Sequence, residues 1–279
     1  MHAIHRMSSL PAPKRPARLQ AFARWWQWRR ATKQGTSLLE RLRRPLVVTT
    51  PAGRLSFVLL GPVAAGRALS VVTKQPETLV WIDRFEPGSV FWDVGANVGV
   101  YTLYAARRGS GRIVAIEPAA VNYFLLAANC EANALHDRVD CLALGLGAGR
   151  SISRLEVSQF AAGRSFSFEA KSKYPARQAA LVLSMDELVE EYGLPCPNYV
   201  KIDVPAMTEP IIAGARRTLR RPEVREVHIE LRVQSKAGRR IADALGQCGL
   251  TPSGHHTHGA TTDVTFSRRS STEANLGSR

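Results

Sequence analysis

The feature that most limits the possible folds is a regular alternation of strand-like and helix-like segments that begins at Ser89. Five apolar strand-like segments are separated by helical patterns at about 97–108, 119–134, 206–220 and 235–247; the strand-like segments read SVFWDV, RIVAIE, VDCLAL, YVKIDV and EVHIEL. Strands that alternate with helices form a mostly parallel sheet covered by helices on both faces. The closing stretch TTDVTFSRR predicts one more strand, and the whole pattern predicts an α/β fold.

Three regions follow from the pattern along the chain. Residues 1–45 are predicted to be a basic N-terminal extension that is partly disordered or helical, and residues 46–270 form the predicted main domain. Within this domain, the alternating stretches SISRLEVS and RSFSFEA predict a hairpin insertion at about 150–184. Residues 271–279 are predicted to be a flexible tail.

The positive charge of the chain is concentrated near its N-terminus. The net charge is +15, and residues 1–50 hold eleven Lys and Arg residues against one acid, Glu40. A basic arm can attract nucleic acid, anionic lipid or an acidic partner, or it can simply be a solvated face. Charge alone does not distinguish these alternatives. The candidate partner of this arm is an anionic surface or an acidic protein partner.

Two helices are predicted in the N-terminal extension. The first spans RLQAFARWWQWRRATKQ and carries Trp25, Trp26 and Trp28, which either pack on the main domain or dock on lipid or a partner. The second spans SLLERLRRP, where Ser37 followed by Glu40 is typical of a capping box. No apolar run approaches the roughly 20 residues that a membrane-spanning helix needs, so no span is predicted.

Cysteine usage predicts the redox environment. The four cysteines form no Cys-x-x-Cys pair, and they stand at Cys130, Cys141, Cys196 and Cys248. Disulfide frameworks and zinc sites need tighter patterning, so we expect reduced thiols and a cytoplasmic protein. The N-terminus lacks the apolar core of a secretion signal, although its Arg-rich and acid-poor composition leaves a mitochondrial transit peptide as an alternative.

The segment FWDVGANVGVYTLYAA places a glycine-rich break between the first strand and the first helix of the alternation. In open parallel sheets, ligands bind beyond the carboxyl ends of the strands, where glycines permit tight turns and close packing. The spacing from Gly95 to Gly99 lacks the close Gly-x-Gly pair of a dinucleotide site. Asp93 suits a cationic ligand such as S-adenosylmethionine, and Glu117 ends the next strand, where an acid can bind ribose hydroxyls. A purely structural turn is the alternative.

The stretch VFWDVGANVGVYTLYAARRG…RIVAIEPAAVNYFLLAANCEANAL resembles the FkbM family of S-adenosylmethionine-dependent methyltransferases. KQPETLVWIDRF, SMDELVEEYGLP…YVKIDV and REVHIEL extend the resemblance over roughly Pro76 to Leu231. The family implies a Rossmann-like class I methyltransferase fold, with a mostly parallel seven-stranded sheet and helices on both faces. It also implies S-adenosyl-L-methionine as cofactor and methyl transfer to a hydroxyl group of a sugar, a glycolipid or a secondary metabolite.

The resemblance also implies roles for residues at the strand ends. The residues that would form the cofactor turn are Asp93, Gly95, Ala96, Asn97 and Gly99. Glu117 would bind the ribose hydroxyls. Leu144 and Gly145 would lie near the adenine, and Glu77 would reach the methionine end of the cofactor.

The chain departs from the family pattern after its fourth strand. The family reads Lys-Ile-Asp-Val-Glu-Gly there, with another acid three residues after that Glu. This chain continues KIDV with Pro205 and Ala206, and Thr208 stands where the later acid is expected. Pro205 also removes a backbone donor at the strand tip. The departure indicates either an altered acceptor site or a protein that binds the cofactor with weak or lost activity.

Asp203 and Glu230 end neighbouring predicted strands and are the candidate catalytic residues. Methyl transfer requires alignment of the acceptor oxygen, and a positioned base that removes its proton contributes about 10²–10⁴-fold. Two carboxylates on adjacent tips either hold an acceptor hydroxyl or cap loops. Lys201, on the same side as Asp203, either pairs with an acid or lies at the sheet margin.

The histidines are not expected to form a metal site. His228 is predicted to be a hydrogen-bonded core residue. The predicted loop SGHHTHGA holds three histidines but no suitably spaced acid or cysteine, so no metal is expected there.

Three functions compete at this point. The first is an O-methyltransferase that acts on a small molecule, a glycan or a glycolipid. The second, suggested by Pro205 and Ala206, is a protein that binds the cofactor without turnover. The third, suggested by the basic arm, is a nucleic-acid methyltransferase, but the chain has no Asn/Asp-Pro-Pro-aromatic motif and no recognisable RNA-binding module. We therefore expect a small-molecule or glycan acceptor and no nucleic-acid partner.

Overall fold

The computed structural model describes residues 17–42, 45–157, 162–164, 176–204, 207–258 and 261–268. The chain separates into two compact units, Met1–Arg44 and Pro45–Arg279. The first 16 residues and the predicted tail lie outside the described residues.

In the first unit, one helix replaces the two that the sequence predicts. Helix α1 runs without a break over Ala17–Leu42. Ser37 therefore lies inside a helix, and the predicted capping box at that position is wrong. A single interior glycine such as Gly35 costs only about 1 kcal/mol relative to alanine, which is too little to end a helix by itself. Among the helices that the structure describes, α1 included, none is both long and apolar enough to cross a membrane.

The second unit opens with a hairpin and continues with the predicted alternation. Its strands are β1 (Leu46–Thr50), β2 (Gly53–Phe57), β3 (Val90–Val94), β4 (Arg112–Ile116), β5 (Val139–Leu142), β6 (Gly145–Leu146), β7 (Ser151–Val157), β8 (Ala176–Leu183), β9 (Tyr199–Ile202), β10 (Glu226–Leu231), β11 (Leu250–His258) and β12 (Thr261–Arg268). Its helices are α2 (Pro62–Leu69), α3 (Pro76–Ile82), α4 (Val100–Arg108), α5 (Ala120–Ala132), α6 (Met185–Glu190), α7 (Thr208–Ala213), α8 (Arg216–Leu219) and α9 (Lys236–Gly246).

Seven of these strands form one mixed sheet in the order β11-β12-β10-β9-β3-β4-β5. Strands β10, β9, β3, β4 and β5 pair in parallel, whereas β12 is antiparallel to both β10 and β11. This confirms the predicted mostly parallel, seven-stranded sheet. Because β3, β9 and β10 are neighbours at its centre, their carboxyl ends share one edge of the sheet.

The sheet has an apolar core on each face because side chains alternate along the strands. On one face, Val94 of β3 belongs to a buried cluster with Ile241 of α9. On the other face, Phe91 of β3 belongs to a buried cluster with Trp81 of α3 and with residues of α4. Asp93, between Val94 and Trp92 in β3, lies on the face that α3 and α4 cover.

The helix predicted at 206–220 is divided in two. Helix α7 ends at Ala213, and α8 begins at Arg216. Gly214 lies between them with its Cα against the carbonyl oxygen of Gly147, where a Cβ would have no room. The contact between Gly214 and Gly147 joins residues far apart in the sequence. The helical periodicity of residues 206–220 therefore could not predict the break.

The predicted hairpin insertion is present, but its second strand lies later in the sequence than predicted. Strand β7 pairs antiparallel with β8, and β8 also pairs in parallel with β6 to give a small three-stranded sheet. Most of the stretch RSFSFEA lies outside the described residues.

The predicted histidine loop is largely part of strand β11. His255 and His256 pair with Val264 and Asp263 of β12, with an irregularity in register between Pro252 and Gly254. Pairing with a neighbouring strand therefore overrides the local Ser-Gly and His-rich composition, which favours a turn.

Candidate functional site

The break between β3 and α4 is a tight turn with three residues at positive φ. Gly95, Asn97 and Gly99 have φ values of 81°, 53° and 87°. The backbone N–H groups of Gly95 and Ala96 both donate to the carbonyl oxygen of Ile116, at 2.9 and 3.0 Å. These bonds attach the turn to the end of β4.

The two glycines of the turn are required by neighbouring parts of the protein. A Cβ at Gly95 would lie 2.8 Å from both the Asp203 carbonyl oxygen and Val204 Cγ2. A Cβ at Gly99 would lie 2.7 Å from Leu126 Cδ1 of α5. The tip of β9 can therefore approach the turn only because Gly95 has no Cβ, whereas a Cβ at Gly99 would require the Leu126 side chain to move.

Glu117 follows β4, and its carboxylate binds the backbone of the turn. Its Oε2 accepts a hydrogen bond from the Asn97 N–H and its Oε1 one from the Ala119 N–H, each at 2.9 Å. Burial raises the pKa of Glu117 to about 7, although the two backbone bonds act in the opposite direction. The carboxyl group therefore titrates near neutral pH.

A short piece of the hairpin insertion lies against the turn. The Arg164 carbonyl oxygen accepts hydrogen bonds from Asn97 Nδ2 at 3.0 Å and from Asn122 Nδ2 at 2.9 Å. The Gly163 N–H donates to Asn122 Oδ1 at 2.8 Å, and Arg67 Nε donates to the Gly163 carbonyl oxygen. The insertion thereby connects α2, the turn and α5.

Asp93 is buried beside the turn with one oxygen unused. Its Oδ2 accepts a hydrogen bond of 2.6 Å from Thr102 Oγ1. Its Oδ1 is buried and has no hydrogen-bond partner within the described part of the chain. Burial raises the pKa of Asp93, while Lys201 and Thr102 act to lower it. A buried acceptor without a donor is suited to a ligand that brings one.

Asp93 belongs to a row of buried polar side chains that crosses the sheet. In the strand register, Asp93 pairs with Lys201, Lys201 with His228, and His228 with Thr265. All four residues are buried, on the face that α3 and α4 cover. A buried charge is costly unless an opposite charge or a hydrogen bond compensates it. The charge state of each residue in the row therefore depends on its neighbours.

Lys201 forms an ion pair with Asp203 at the tip of β9. Its Nζ lies 3.2 Å from Asp203 Oδ2 and 4.6 Å from the centre of the Tyr101 ring. Burial acts to raise the pKa of Asp203, but Lys201, Lys74 and Arg67 together outweigh it, and the pKa of this carboxyl group is lowered. Asp203 is therefore an ionised acid whose side chain is still 27% exposed.

Asp203 and the glycine turn are in direct contact. The Asp203 N–H donates to the Val94 carbonyl oxygen at 3.0 Å. Glu230 occupies the equivalent place on β10, two residues beyond His228, and its register partner on β12 is Asp263. The structure thus brings the two predicted acids, Asp203 and Glu230, to neighbouring strand tips.

Gln75, which precedes α3, and Tyr101 of α4 lie beside Asp263 and Lys201 near the strand tips. Tyr101 donates a hydrogen bond of 2.5 Å to Gln75 Oε1, and Gln75 Nε2 lies 3.4 Å from Asp263 Oδ2. Glu77 Oε2 lies 3.9 Å from His256 Nε2 of the edge strand β11. Glu77 is therefore placed beside the sheet edge, and its role at the methionine end stays a prediction.

His228 is a core histidine, as predicted. Its Nε2 lies 3.3 Å from Thr78 Oγ1, its Nδ1 lies 3.0 Å from Thr265 Oγ1, and its ring stacks on Trp81 at 4.7 Å between ring centres. Burial, followed by the charge of Lys201, lowers the pKa of His228 to about 3, so the ring is neutral. Within the residues that the structure describes, no group of His, Cys, Asp and Glu side chains is arranged to hold a metal ion.

Leu144 and Gly145, the residues predicted to lie near the adenine, follow strand β5. Leu144 belongs to the buried core that contains Val94 and Ile116, and Gly145 pairs with Val182 of β8. Their proximity to an adenine ring stays a prediction. Thr208, which replaces a family acid, donates its hydroxyl to the Val204 carbonyl oxygen at 3.1 Å. Pro205 and Ala206 lie outside the described residues.

Two basic residues of the site, Arg67 and Lys74, were not predicted from the sequence. A small cavity of about 20 Å³ beside the turn is lined by Arg67, Ser70, Val71, Lys74, Val100 and Tyr101. Burial and the neighbouring Arg67 lower the pKa of Lys74, and the charges of Asp203 and Glu230 act to raise it. The one available signal is that Arg67 and Lys74 are the only charged residues between Val58 and Pro76.

Comparison with known proteins decides the family. The model of the methyltransferase FkbM domain matches residues 93–250, which is more than half of the chain. The chain belongs to the FkbM methyltransferase family. The match begins at Asp93 and includes the turn, Glu117, Asp203 and Glu230.

Three known methyltransferases are similar to this chain at low sequence identity. Hexuronic acid methyltransferase AglP of Haloferax volcanii is 23% identical over 178 residues, which cover 64% of this chain and 71% of that protein. The structure of an FkbM methyltransferase from Methylobacillus flagellatus has a TM-score of 0.45 at 16% identity, over 75% of this chain and 56% of that one. An O-methyltransferase from Bacillus cereus, solved in complex with SAH, has a TM-score of 0.44 at 14% identity, over 70% of this chain and 81% of that one.

Proposed function

We propose that this FkbM methyltransferase transfers a methyl group from S-adenosylmethionine to a hydroxyl group, on a sugar, a glycolipid or a secondary metabolite. The observation that carries the proposal is the contact between an ionised acid, Asp203, and the glycine turn through the Val94 carbonyl oxygen. An acid at that position is available to a hydroxyl that approaches the tip of β9.

The residues of the turn fit this cofactor. The unpartnered Oδ1 of Asp93 is suited to an ammonium or a water-bridged cation, and it would repel a pyrophosphate. Glu117 presents a carboxyl group at the end of β4, where ribose hydroxyls can donate to it. When bound, S-adenosylmethionine supplies an activated methyl group together with its leaving group. Asp93 and Glu117 would hold its two polar ends.

The protein's own contribution is alignment and proton removal. Asp203 would accept the proton of the acceptor hydroxyl at a carboxylate oxygen, and Lys201 at 3.2 Å keeps that carboxylate ionised and oriented. Glu230 on the neighbouring tip would accept a hydrogen bond from a second hydroxyl of the acceptor and so fix the direction of the reacting one. Alignment of this kind supplies about 7–11 kcal/mol of a barrier in favourable cases.

The basic residues support an acidic acceptor. Arg67 and Lys74 line the small cavity beside Tyr101, and both contribute to the low pKa of Asp203. A carboxylate on the acceptor would be bound by these cations while a neighbouring hydroxyl meets Asp203. The relative from Haloferax volcanii is named as a hexuronic acid methyltransferase. We therefore propose acidic sugars as the first acceptors to test.

The test is a turnover measurement with S-adenosylmethionine and matched glycosides of a uronic acid and of the neutral hexose. Asp203→Asn keeps size and removes the charge, so turnover is expected to fall about 10²-fold or more, with cofactor affinity little changed. Lys74→Met should lower kcat/KM for the uronate about ten- to hundredfold, as for loss of a charged hydrogen bond. It should change kcat/KM for the neutral glycoside much less, because Lys201 still keeps Asp203 ionised. Asp137→Asn, at an exposed acid, is the control. Wild-type turnover in Asp203→Asn contradicts the proposal.

A second candidate rests on the departure after Val204. Pro205 and Ala206 replace a family Glu and Gly, so the chain would then be an S-adenosylmethionine-binding protein with weak or no turnover. Calorimetry that shows cofactor binding, together with no methyl transfer to any acceptor in a broad screen, would favour this second candidate.

A further inference from the structure

Helix α1 carries large aromatic side chains in water. Phe22, Trp25, Trp26 and Trp28 are 58%, 47%, 52% and 65% exposed. Phe22, Trp25 and Trp26 stand at helical spacings of three and four residues, so their rings share one side of the helix. The rings of Phe22 and Trp25 stack with 5.9 Å between their centres. Contiguous exposed apolar surface of this kind marks an interaction site.

The same part of α1 is basic and contains no acid. Arg24, Arg29, Arg30 and Lys33 are all exposed, and no Asp or Glu occurs from residue 22 to residue 36. The Arg29 guanidinium lies 5.1 Å from the centre of the Trp25 ring. Arg29 and Arg30 follow Trp25 and Trp26 by four residues, so these two cations lie on the same side of the helix as the rings. Long basic side chains can reach past an apolar boundary to its polar layer.

This combination separates two possible partners. Nucleic acid would use the four cations through its phosphates, and most of that attraction needs no aromatic surface. The headgroup layer of a bilayer uses both kinds of side chain, because indole rings reside at the boundary between acyl chains and water and cations bind anionic lipids. A helix that is charged along its length does not span a membrane, so any contact of α1 with a bilayer would be at the surface.

We propose that α1 binds the surface of an anionic lipid bilayer, with its aromatic rings in the headgroup layer and its cations against lipid phosphates. The occupant of this helix face is thus a membrane surface. The proposal is independent of the methyltransferase site, because it rests on residues 22–36 alone.

Tryptophan fluorescence provides a direct measurement on the full chain. The sequence has five tryptophans, and the two outside α1, Trp81 and Trp92, are buried in the second unit. A blue shift on addition of vesicles therefore reports Trp25, Trp26 and Trp28. We expect the shift, and co-flotation, with vesicles of phosphatidylcholine and phosphatidylglycerol, and much weaker binding to pure phosphatidylcholine.

Two variants separate charge from aromatic burial. Arg29→Gln with Arg30→Gln should weaken binding to the anionic vesicles about 30-fold, from about fivefold for each basic residue removed. Arg216→Gln with Arg220→Gln removes the same charge from exposed positions of the second unit and should leave binding unchanged. Trp25→Ala with Trp26→Ala should abolish co-flotation with the anionic vesicles, whereas Phe124→Ala with Tyr192→Ala, at exposed aromatics of the second unit, should not.

The proposal is overturned by any of three results. The first is equal binding of the Trp25→Ala/Trp26→Ala variant and the wild type to anionic vesicles. The second is an unchanged affinity when the Arg29 and Arg30 charges are removed. The third is tighter binding to a short nucleic-acid duplex than to anionic vesicles at the same salt concentration, which would identify a nucleic acid as the partner.

Discussion

Lys201 lies between two acids of the candidate site: its Nζ is 3.2 Å from Asp203 Oδ2, and Lys201 is the register partner of Asp93 on the adjacent strand. One buried cation therefore stabilises the acid at the strand tip and opposes the effect of burial on the acid beside the turn. Removing it affects both at once.

Lys201→Met is expected to destabilise the fold and shift the pH profile of activity. Removing one partner of a buried ion pair costs about 3–5 kcal/mol, and because Asp203 is partly exposed, we expect a loss of about 3 kcal/mol. Because Lys201 lowers the pKa of Asp203, the acid limb of the pH–rate profile should move to higher pH. Thermal unfolding and turnover across pH test this, with the exposed Lys236→Met as control.

The pH dependence of stability has a definite sign at Asp203. Its folded pKa is below the ordinary value of 3.8, so its contribution is complete above about pH 4 and is lost as pH falls through the lower folded value. In Lys201→Met this acid-sensitive contribution should disappear. An unchanged acid-unfolding curve in that variant would show that the ion pair does not stabilise the protein.

Glu117→Ala is expected to weaken binding of the cofactor product, S-adenosylhomocysteine, by about 1–3 kcal/mol, the cost of hydrogen bonds to a charged group. Calorimetry measures this, with Glu131→Ala at an exposed position of α5 as control. Unchanged affinity in Glu117→Ala counts against the assignment of Glu117 to the ribose.

Glu117 also gives a pH dependence near neutrality. The pKa of Glu117 is about 7 in the folded protein and 4.5 ordinarily, so the folded state retains this proton to a higher pH than the unfolded state. The contribution of Glu117 to stability therefore declines as pH rises from about 4.5 to 7, and ligand affinity should rise over the upper part of that window as the carboxylate forms. Glu117→Gln should flatten both curves, and a persistent slope in either would assign it to another group.

Gly95→Ala should be more damaging than alanine at another glycine of positive φ. Gly109, at φ 107°, has open space around it, so Gly109→Ala meets only the backbone strain of about 1–2 kcal/mol. Gly95→Ala adds a collision with Asp203 and Val204, for about 1–3 kcal/mol more. Denaturant unfolding of the two variants measures the difference, and equal losses would mean that the tip of β9 moves away without cost.

A chain that starts at Pro45 should keep cofactor affinity and lose affinity for anionic surfaces. The second compact unit begins at that residue and contains every predicted site residue. Calorimetry and vesicle flotation on the same preparation make the comparison. An insoluble truncated protein would instead show that the second unit depends on the N-terminal extension for its solubility.

Pro205→Glu with Ala206→Gly restores the family residues and tests whether the wild-type site is adapted. If the wild type is active, as we propose, the double change adds charge and alters the backbone at the acceptor, so turnover should fall. A rise from a wild type without measurable turnover would favour the binding protein without turnover. Calorimetry with the cofactor product serves as the control for folding.

Local patterns predicted much of the fold and part of the site. The turn from Asp93 to Gly99 and the strand tips carrying Asp203 and Glu230 follow from strand alternation, because parallel strands bring their carboxyl ends to one edge. Strand β8 and the assignment of His255 to β11 depend on long-range pairing, which composition does not encode. Arg67 and Lys74 reach the site through α2 and the following turn, where no motif marks them.

The contact between Gly95 and the Asp203 carbonyl oxygen also bears on how this enzyme can change over time. Every other amino acid at position 95 carries a Cβ that would push the tip of β9 away, so this position admits almost no variation without a compensating shift of the strand. The positions that follow Val204 in the sequence are where this chain departs from the family pattern. Substitutions that diversify the acceptor are therefore expected to accumulate at these positions, Pro205 and Ala206, while Gly95 remains fixed.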